Sequence, residues 1–438
     1  MKYGLIGRTL AHSYSKKIHE ALGKYSYGLF SLEPEALTGF ISTRDFDGLN
    51  VTIPYKKDVI PLCDEVSDLA SAIGSVNTLY WKDADPHAKG TASSPSGARL
   101  LVGHNTDYEG FLYTAKRSEI SFTGKCVLIL GNGGTSLTAR KAIADAGAAK
   151  IYITSRSAAN TSTSSSVAVT FITYDDLPTI ATEIDIIVNT TPVGTFPNNL
   201  QSIIDLADFP NCEAVIDVIY NPFKTKLLMD AEKAGLKTAN GLPMLVAQAT
   251  AAAGYFLGTQ GAFEKENEKI IEKMVNDMRN IVLIGMPGSG KSTIGQIIAE
   301  KTGKMLVDMD EEIIKKAGKP IPEIFEEVGE PGFRDIESEV AAELGKQRGL
   351  VIATGGGTVL REENIYALKQ NGLMIHVKRP LEALAMNGRP LSKDIDALRT
   401  MEAVRMPIYE TVSDITFDNS VQCLPKELAE SVYEMLVL

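Results

Sequence analysis

The stretch from Asn280 to Thr293 reads NIVLIGMPGSGKST, and within it Gly285 to Ser292 spell GxxxxGKS. Glycines at that spacing let successive backbone amides turn inward around a phosphate. Lys291 adds a point charge and the Ser292 hydroxyl can ligate magnesium. Such a loop needs a buried strand to deliver it and a helix to continue it. The apolar run Ile281 to Ile284 and the helical pattern from Ile294 meet both conditions, so the stretch predicts a nucleotide site. Farther on, KMLVDMD places Asp308 and Asp310 two apart at an expected strand end, where both carboxylates face one side. One suits magnesium, the other an acceptor hydroxyl. Arg334 in GFRDIE, Arg389 in GRPLS and Arg405 in RMPIY suit carboxylate and phosphate, and Gly355 to Gly357 let a ligand approach the backbone.

A second glycine turn lies in KCVLILGNGGTSLTARKAIA, Lys125 to Ala144, between an apolar strand and an amphipathic helix. Gly131, Gly133 and Gly134 follow the dinucleotide fingerprint, with Ser136 in place of its third glycine. The next strand, KIYITSR, ends in Ser155, Arg156 and Ser157, where an acidic residue would otherwise meet the ribose 2′-hydroxyl of NAD. Arginine and hydroxyls suit a 2′-phosphate, so NADP(H) is the expected cofactor. The serine-rich Thr161 to Ser166 reads as a mobile loop.

Other polar groups stand at element ends. Ser13 and Ser15 precede a helix expected from Lys16 and suit either capping or a carboxylate ligand. Lys56 follows the proline-stopped strand end of GLNVTIPYKK, where side chains converge on sites. Asn77 and Thr78 are placed in a strand. Asp107 in GHNTDYEGF either caps its helix or pairs with a group from elsewhere in the chain. Tyr220 follows a strand at the carboxyl edge of the expected parallel sheet, where ligands bind. Gln248 stands in an apolar helix and reads as a core amide.

The elements that carry these groups exceed one core. A chain of 438 residues implies two or three domains at about 100 to 200 residues each. A net charge of −11 with interspersed signs argues against nucleic acid or an anionic membrane as the main partner. The four cysteines form no CxxC pair, which fits a reduced cytoplasm, and MKYGLIG reads as a strand rather than a signal peptide. The most apolar run, Leu242 to Gly258, carries Gln248 and two threonines and is expected to be a buried helix.

The segments GLIGRTLAHSYSKKIH, LNVTIPYKK, GSVNTLY, GHNTDYEGF, LGNGGT, VNTTPVG, VIYNPFKTKLL and GLPMLVAQA, in that order, resemble shikimate dehydrogenase over residues 1–278. The order GSGKST, DMD, FR, GGG, RPL and R…Y resembles shikimate kinase over 279–438. The implied fold is α/β throughout. A two-domain dehydrogenase (substrate domain 1–107 plus 241–278, Rossmann NADP domain 108–240) is followed by a P-loop kinase domain with a parallel sheet. The resemblance implies that Ser13 and Ser15 hold the substrate carboxylate and that Lys56 and Asp107 form the catalytic pair. Thr52, Asn77, Tyr220 and Gln248 become further substrate contacts. Gly131, Asn132, Gly133, Gly134 and Thr135, with Ser155 and Arg156, hold NADP, and Gly241 lies beside the nicotinamide. In the second half Gly288, Ser289, Gly290, Lys291, Ser292 and Thr293 bind ATP, and Ser292 and Asp308 serve Mg²⁺. Asp310, the candidate base, joins Arg334, Gly356 and Arg405 in holding shikimate, and Arg389 belongs to a closing lid.

The implied activity is NADPH-dependent reduction of 3-dehydroshikimate followed by ATP-dependent phosphorylation of shikimate. The alternatives are a quinate/shikimate oxidoreductase joined to a different small-molecule P-loop kinase, or one catalytically silent half. Departures from the two families are Thr135 for alanine, Lys16 and Lys17 for Ser-Pro, a long Lys82 to Gly103 loop, and a short lid, AMNG at 385–388, without the basic residue common ahead of RPL.

Overall fold

Residues 2–10, 13–84, 99–155, 167–384 and 395–419 are described by the computed structural model. By contacts they form two units. The first comprises Met1–Val193, Ser202–Tyr220 and Asp230–Glu272; the second comprises Gly194–Gln201, Asn221–Met229 and Lys273–Leu438.

The first unit holds two sheets. One is built from β1 (Tyr3–Gly7), β2 (Tyr27–Ser31), β3 (Gly48–Val51), β4 (Glu65–Val66), β5 (Thr78–Asp83) and β6 (Arg99–His104), in the order β2-β1-β3-β5-β6-β4. Its β1, β2 and β3 run parallel, and β5 pairs antiparallel with both β3 and β6. The other is built from β7 (Cys126–Leu130), β8 (Lys150–Thr154), β9 (Ala168–Ile172), β10 (Ile186–Asn189), β11 (Ala214–Asp217) and β12 (Lys237–Ala239). All its pairings are parallel, in the order β12-β11-β10-β7-β8-β9, so the strand order reverses beside β7. Ligands of such sheets sit in the crevice outside the strand ends at that reversal. The apolar run beginning at Leu242 is a helix, Leu242–Phe256, with residues buried all round it. It packs closely on the helix Asp107–Arg117: a Cβ on Gly110 would come within 2.6 Å of the Met244 carbonyl.

The second unit has one parallel sheet of β13 (Asn280–Ile284), β14 (Met305–Asp308), β15 (Leu350–Ala353), β16 (Gly372–Lys378) and β17 (Ile415–Asp418), ordered β14-β15-β13-β16-β17. Along β13, Val282 and Ile284 join one apolar core and Ile281 and Leu283 the other. Burial on both faces explains why the run is apolar without alternation.

One core group in the first unit makes stability pH-dependent. His19, in the helix Ser15–Ala21, is fully buried, with its ring stacked 4.0 Å from that of Tyr27 and Nδ1 2.7 Å from the Tyr25 hydroxyl. Desolvation pushes its pKa down from 6.5 to about 3, opposed by a bond to Asn50. The unfolded chain therefore takes up a proton below pH 6.5 that the native state refuses. The stability contributed by neutral His19 is complete above 6.5 and falls as pH drops toward 3. The slope is about 1.4 kcal/mol per pH unit. Urea unfolding followed by Trp81, the single tryptophan, should show wild type losing stability relative to His19→Phe by about that slope. Parallel pH profiles for the two proteins would refute it.

Candidate active sites

In the first unit, Lys56 Nζ donates to Asp107 Oδ2 at 2.5 Å, with 22% and 13% of the two side chains exposed. The backbone determines this meeting. Val76 N donates to the Lys56 carbonyl at 2.8 Å, which ties the turn after β3 to the segment entering β5. Asn77, 2% exposed, accepts on its side-chain oxygen from Thr106 N (2.8 Å) and from the Thr78 hydroxyl (2.9 Å). The loop ahead of Asp107 is thereby fastened to the same segment. Asp107 does not cap its helix. Thr106 is the N-cap and makes no side-chain cap bond, while Asp107 and Glu109 place negative charge in the first turn, where the helix dipole favours it.

The pair lines a pocket of about 320 Å³. Ser13, Ser15, Thr52, Asn77, Tyr220, Gly241 and Gln248 line it too, with Thr135 from the glycine turn, so the structure brings this predicted set together. The helix begins at Ser15, one residue before the expected start, and the Ser15 amide donates to Ser13 Oγ at 3.2 Å. Gln248, 8% exposed, is a core amide and a pocket group at once: its Nε2 donates to the Leu245 carbonyl at 2.8 Å. Gly241 has no room for a side chain, because a Cβ there would collide with the Val218 carbonyl. Asn50 also lines the pocket and was not singled out in the sequence. It accepts from the Tyr27 hydroxyl at 2.7 Å, and nothing in LNVTI marks it beyond its polarity in a strand.

The glycine turn fits a dinucleotide. Gly131 has φ +96° and lies so close to Thr191 that a Cβ would come within 2.8 Å of its methyl. Gly133 and Gly134 face open space at the N-terminus of the helix Gly134–Asp145, which leaves the helix end accessible to a pyrophosphate. Ser136 fills the third glycine position without opening the turn. It is buried, and its hydroxyl donates to the Gly133 carbonyl at 2.6 Å. Ser155 follows β8. Arg156, Ser157 and the serine-rich loop lie outside the described residues.

In the second unit a pocket of about 450 Å³ is lined by Gly288, Gly290, Lys291, Ser292, Thr293, Asp308, Asp310, Arg334, Gly355 to Gly357 and Arg405. Ser289, fully buried, lies in the same loop, and its carbonyl accepts from Asn419 at 2.8 Å. Lys291 Nζ donates to the carbonyls of Gly285 (2.9 Å) and Met286 (3.0 Å). Ser292 Oγ donates to Asp308 Oδ2 at 2.8 Å. A hydroxyl and a carboxylate in contact suit magnesium, which keeps water and substrate phosphate as its other ligands.

The expectation that Asp308 and Asp310 share a strand face is corrected. Asp308 ends β14 and caps the helix Met309–Ala317, accepting from the Asp310 amide at 3.0 Å, so Asp310 is in the first helical turn. An aspartate caps a helix more readily than it continues a strand, and here that preference prevails. Both residues still line the pocket.

The triple glycine is where the acceptor-side groups converge. A Cβ on Gly355 would meet Glu337 Oε1 at 2.9 Å and Asp310 Oδ1 at 3.3 Å; on Gly356 it would meet Pro287 at 2.6 Å, and on Gly357 the Arg334 guanidinium. Glu337, fully buried, was missed in the sequence. Its carboxylate accepts from Arg334 Nη1 and from the Thr358 hydroxyl, both at 2.7 Å. Its spacing three residues after Arg334 on one helix was the available signal. Burial alone would lower the Arg334 pKa, but Glu337 and Glu330 outweigh it and leave it raised. Arg405 is 6% exposed and bonds Tyr409, whose hydroxyl donates to the Gly356 carbonyl. Arg389 and the short lid lie outside the described residues.

Comparison with known proteins gives two family matches. The shikimate dehydrogenase substrate binding domain matches residues 5–79, and shikimate kinase matches residues 287–437. A shikimate dehydrogenase (NADP(+)) of Clostridium beijerinckii is 36% identical over 258 residues, which is 57% of this chain and 89% of that protein. The crystal structure of shikimate dehydrogenase 1 from Peptoclostridium difficile aligns with a TM-score of 0.54 at 32% identity, covering 63% of this chain and 98% of that one. Shikimate 5-dehydrogenase from Thermus thermophilus, solved with NADP(H) and shikimate, aligns with a TM-score of 0.51 at 28% identity, covering 62% and 99%. A Lys–Asp pair beside a dinucleotide turn, matched over nearly the whole length of such relatives, shows that the chain belongs to the shikimate dehydrogenase family, with a shikimate kinase domain in its C-terminal part.

Proposed function

We propose that the chain carries out two consecutive reactions, reducing 3-dehydroshikimate to shikimate and then phosphorylating shikimate at the hydroxyl just formed. The observation that carries this reading is the Lys56–Asp107 pair, held at 2.5 Å in a pocket whose wall includes Thr135 of the glycine turn and Gly241. NADPH supplies the hydride when bound. The protein's part is to place the ketone and complete its protonation. Negative charge builds on the ketone oxygen as the hydride arrives, and Lys56 meets it with an ammonium that gives up its proton to form the alcohol. Asp107 orients that ammonium. Ser13 and Ser15 hold the substrate carboxylate, and Thr52, Asn77, Tyr220 and Gln248 hold its ring substituents. NADP is favoured over NAD by Ser155, by Arg156 next to it in the sequence, and by the cofactor named for the relatives.

In the second pocket ATP is cradled by Gly288 to Thr293, with Lys291 at its phosphates and magnesium held through Ser292 and Asp308. Asp310 accepts the proton of the attacking hydroxyl, and Arg334, Gly356 and Arg405 hold shikimate. Phosphoryl transfer depends chiefly on alignment and charge neutralisation, which these groups supply. No described helix is long and apolar enough to cross a membrane, and we assign both reactions to the cytoplasm.

Two sets of variants test the reading. Lys56→Ala should lower NADPH-dependent reduction by about 10²-fold or more and leave shikimate phosphorylation intact, whereas Lys291→Ala should do the reverse. NADPH absorbance and ADP release measure the two in one preparation, and loss of both activities in either variant would count against separate sites. Glu337→Gln should raise the KM for shikimate about tenfold or more, since the Arg334 fork loses a charged partner, while the KM for ATP stays within about twofold. Equal changes in both constants would exclude that role.

A further inference from the structure

Among the described residues, four cationic side chains line the second unit's pocket: Lys291, Arg334, Arg379 and Arg405. Three have partners. Lys291 bonds the Gly285 and Met286 carbonyls, Arg334 is paired with Glu337 and Glu330, and Arg405 bonds Tyr409. Arg379 differs. Its Nε is buried with no hydrogen-bond partner, and the side chain forms no ion pair with a described residue. A buried donor left unpaired is uncommon and calls for a ligand or another explanation.

Its location says which ligand. Arg379 follows β16, the neighbour of β13, and the two strands are in register up to Ile284 opposite His376. Beyond that point β13 becomes the phosphate loop while β16 continues beside it. A Cβ on Gly285 would lie 2.5 Å from the Val377 carbonyl. The Lys378 carbonyl accepts from Asn419 N at 2.8 Å, and Asn419 Nδ2 donates to the Ser289 carbonyl at the same distance. The exit of β16 thus lies close against the loop at Gly285 and is bonded to it through Asn419. Asp308, Asp310 and the triple glycine lie on the other flank, after β14 and β15, and Arg405, on the helix Ile395–Val412 that follows β16, is held to that side through Tyr409, whose hydroxyl donates to the Gly356 carbonyl. An arginine on the β16 flank meets the nucleotide rather than the shikimate carboxylate.

We propose that Arg379 binds the β,γ end of the ATP triphosphate from the β16 side, a further phosphate ligand that a fixed strand end supplies. The proposal rests on the nucleotide reading of this pocket. A planar guanidinium presents a donor fork that matches phosphate oxygens, and a partly buried position shields that pairing from water.

The test uses the full-length chain with magnesium. Binding of the β,γ-imido analogue of ATP and of AMP is measured by calorimetry for wild type, Arg379→Ala and Arg379→Lys, beside separate KM values for ATP and shikimate. Arg379→Ala should weaken the analogue and raise the KM for ATP about tenfold or more, leaving AMP binding, the KM for shikimate and 3-dehydroshikimate reduction unchanged. Arg379→Lys should recover part of the loss. Equal analogue binding by wild type and Arg379→Ala overturns the proposal. So does an equal loss for AMP, which would place the contact on the nucleoside, or a joint loss for ATP and shikimate, which would make Arg379 structural. A wild type that binds the analogue but does not phosphorylate shikimate would instead defeat the functional reading, and the binding comparison would still decide the role of Arg379.

Discussion

The first site depends on one short segment that faces two ways. An ammonium and a carboxylate from residues 56 and 107 meet only if two loops are held against a common support, and the segment from Val76 to Thr78 is that support. Val76 N fixes the loop of Lys56, while the Asn77 side-chain oxygen receives Thr106 N and the Thr106 and Thr78 hydroxyls. With three donors already on that oxygen, Asn77 acts on the pocket mainly by placing Asp107. Its backbone also restrains the start of β5, because the Asn77 main-chain N–H donates to the His104 carbonyl at 3.0 Å. A largely buried ion pair is costly unless its geometry is preset, and this network presets it.

The second unit solves a similar problem with a different device. Its pocket needs a charged fork, a carboxylate and a phosphate loop within one ligand's reach, and three glycines in a row remove the side chains that would separate them. Glu337 Oε1, Asp310 Oδ1, Pro287 and the Arg334 guanidinium each occupy space that a methyl on one of those glycines would fill. Glu337 then holds Arg334 in orientation from inside the core, while its other oxygen is satisfied by Thr358, so the buried carboxylate is fully bonded. Conformational freedom matters less at these glycines than their lack of volume.

The parts of this architecture that were legible in the sequence are those governed by local rules. The phosphate loop, the dinucleotide turn, the parallel strands and the buried helix around Gln248 all follow from periodicity and glycine spacing. The convergence of Lys56 with Asp107 does not, since it depends on the Val76–Asn77 bridge between segments distant in the chain, and only family resemblance joined the two beforehand. The helical position of Asp310 was misread because alternation was extended past a residue that caps a helix. Asn50 escaped because a lone polar residue on a buried face carries no motif, and Glu337 because its spacing three residues after Arg334 is shared by many helical surface pairs. Arg379 escaped for a further reason: it reads as one of two exposed cations in VKRPL, and its exceptional property, a buried unpaired donor, exists only in three dimensions.

Charge arithmetic explains why such local devices are needed. The chain carries −11 overall, yet every proposed organic substrate and cofactor is an anion, so the molecule's net charge does not draw them in. Attraction has to come from near groups in partly desolvated pockets, where the effective dielectric is lower than in water. Pairing the cations with acids in advance limits that attraction. Arg334, balanced by two glutamates, offers direction more than net charge, and Lys56 shares its charge with Asp107. Orientation suffices for a carboxylate or a ketone, which bear one charge or none. The triphosphate of the proposed kinase reaction bears several, and its neutralisation would fall to magnesium, Lys291 and a cation with no ion-pair partner among the described residues, which gives the β16 flank a physical reason to carry Arg379.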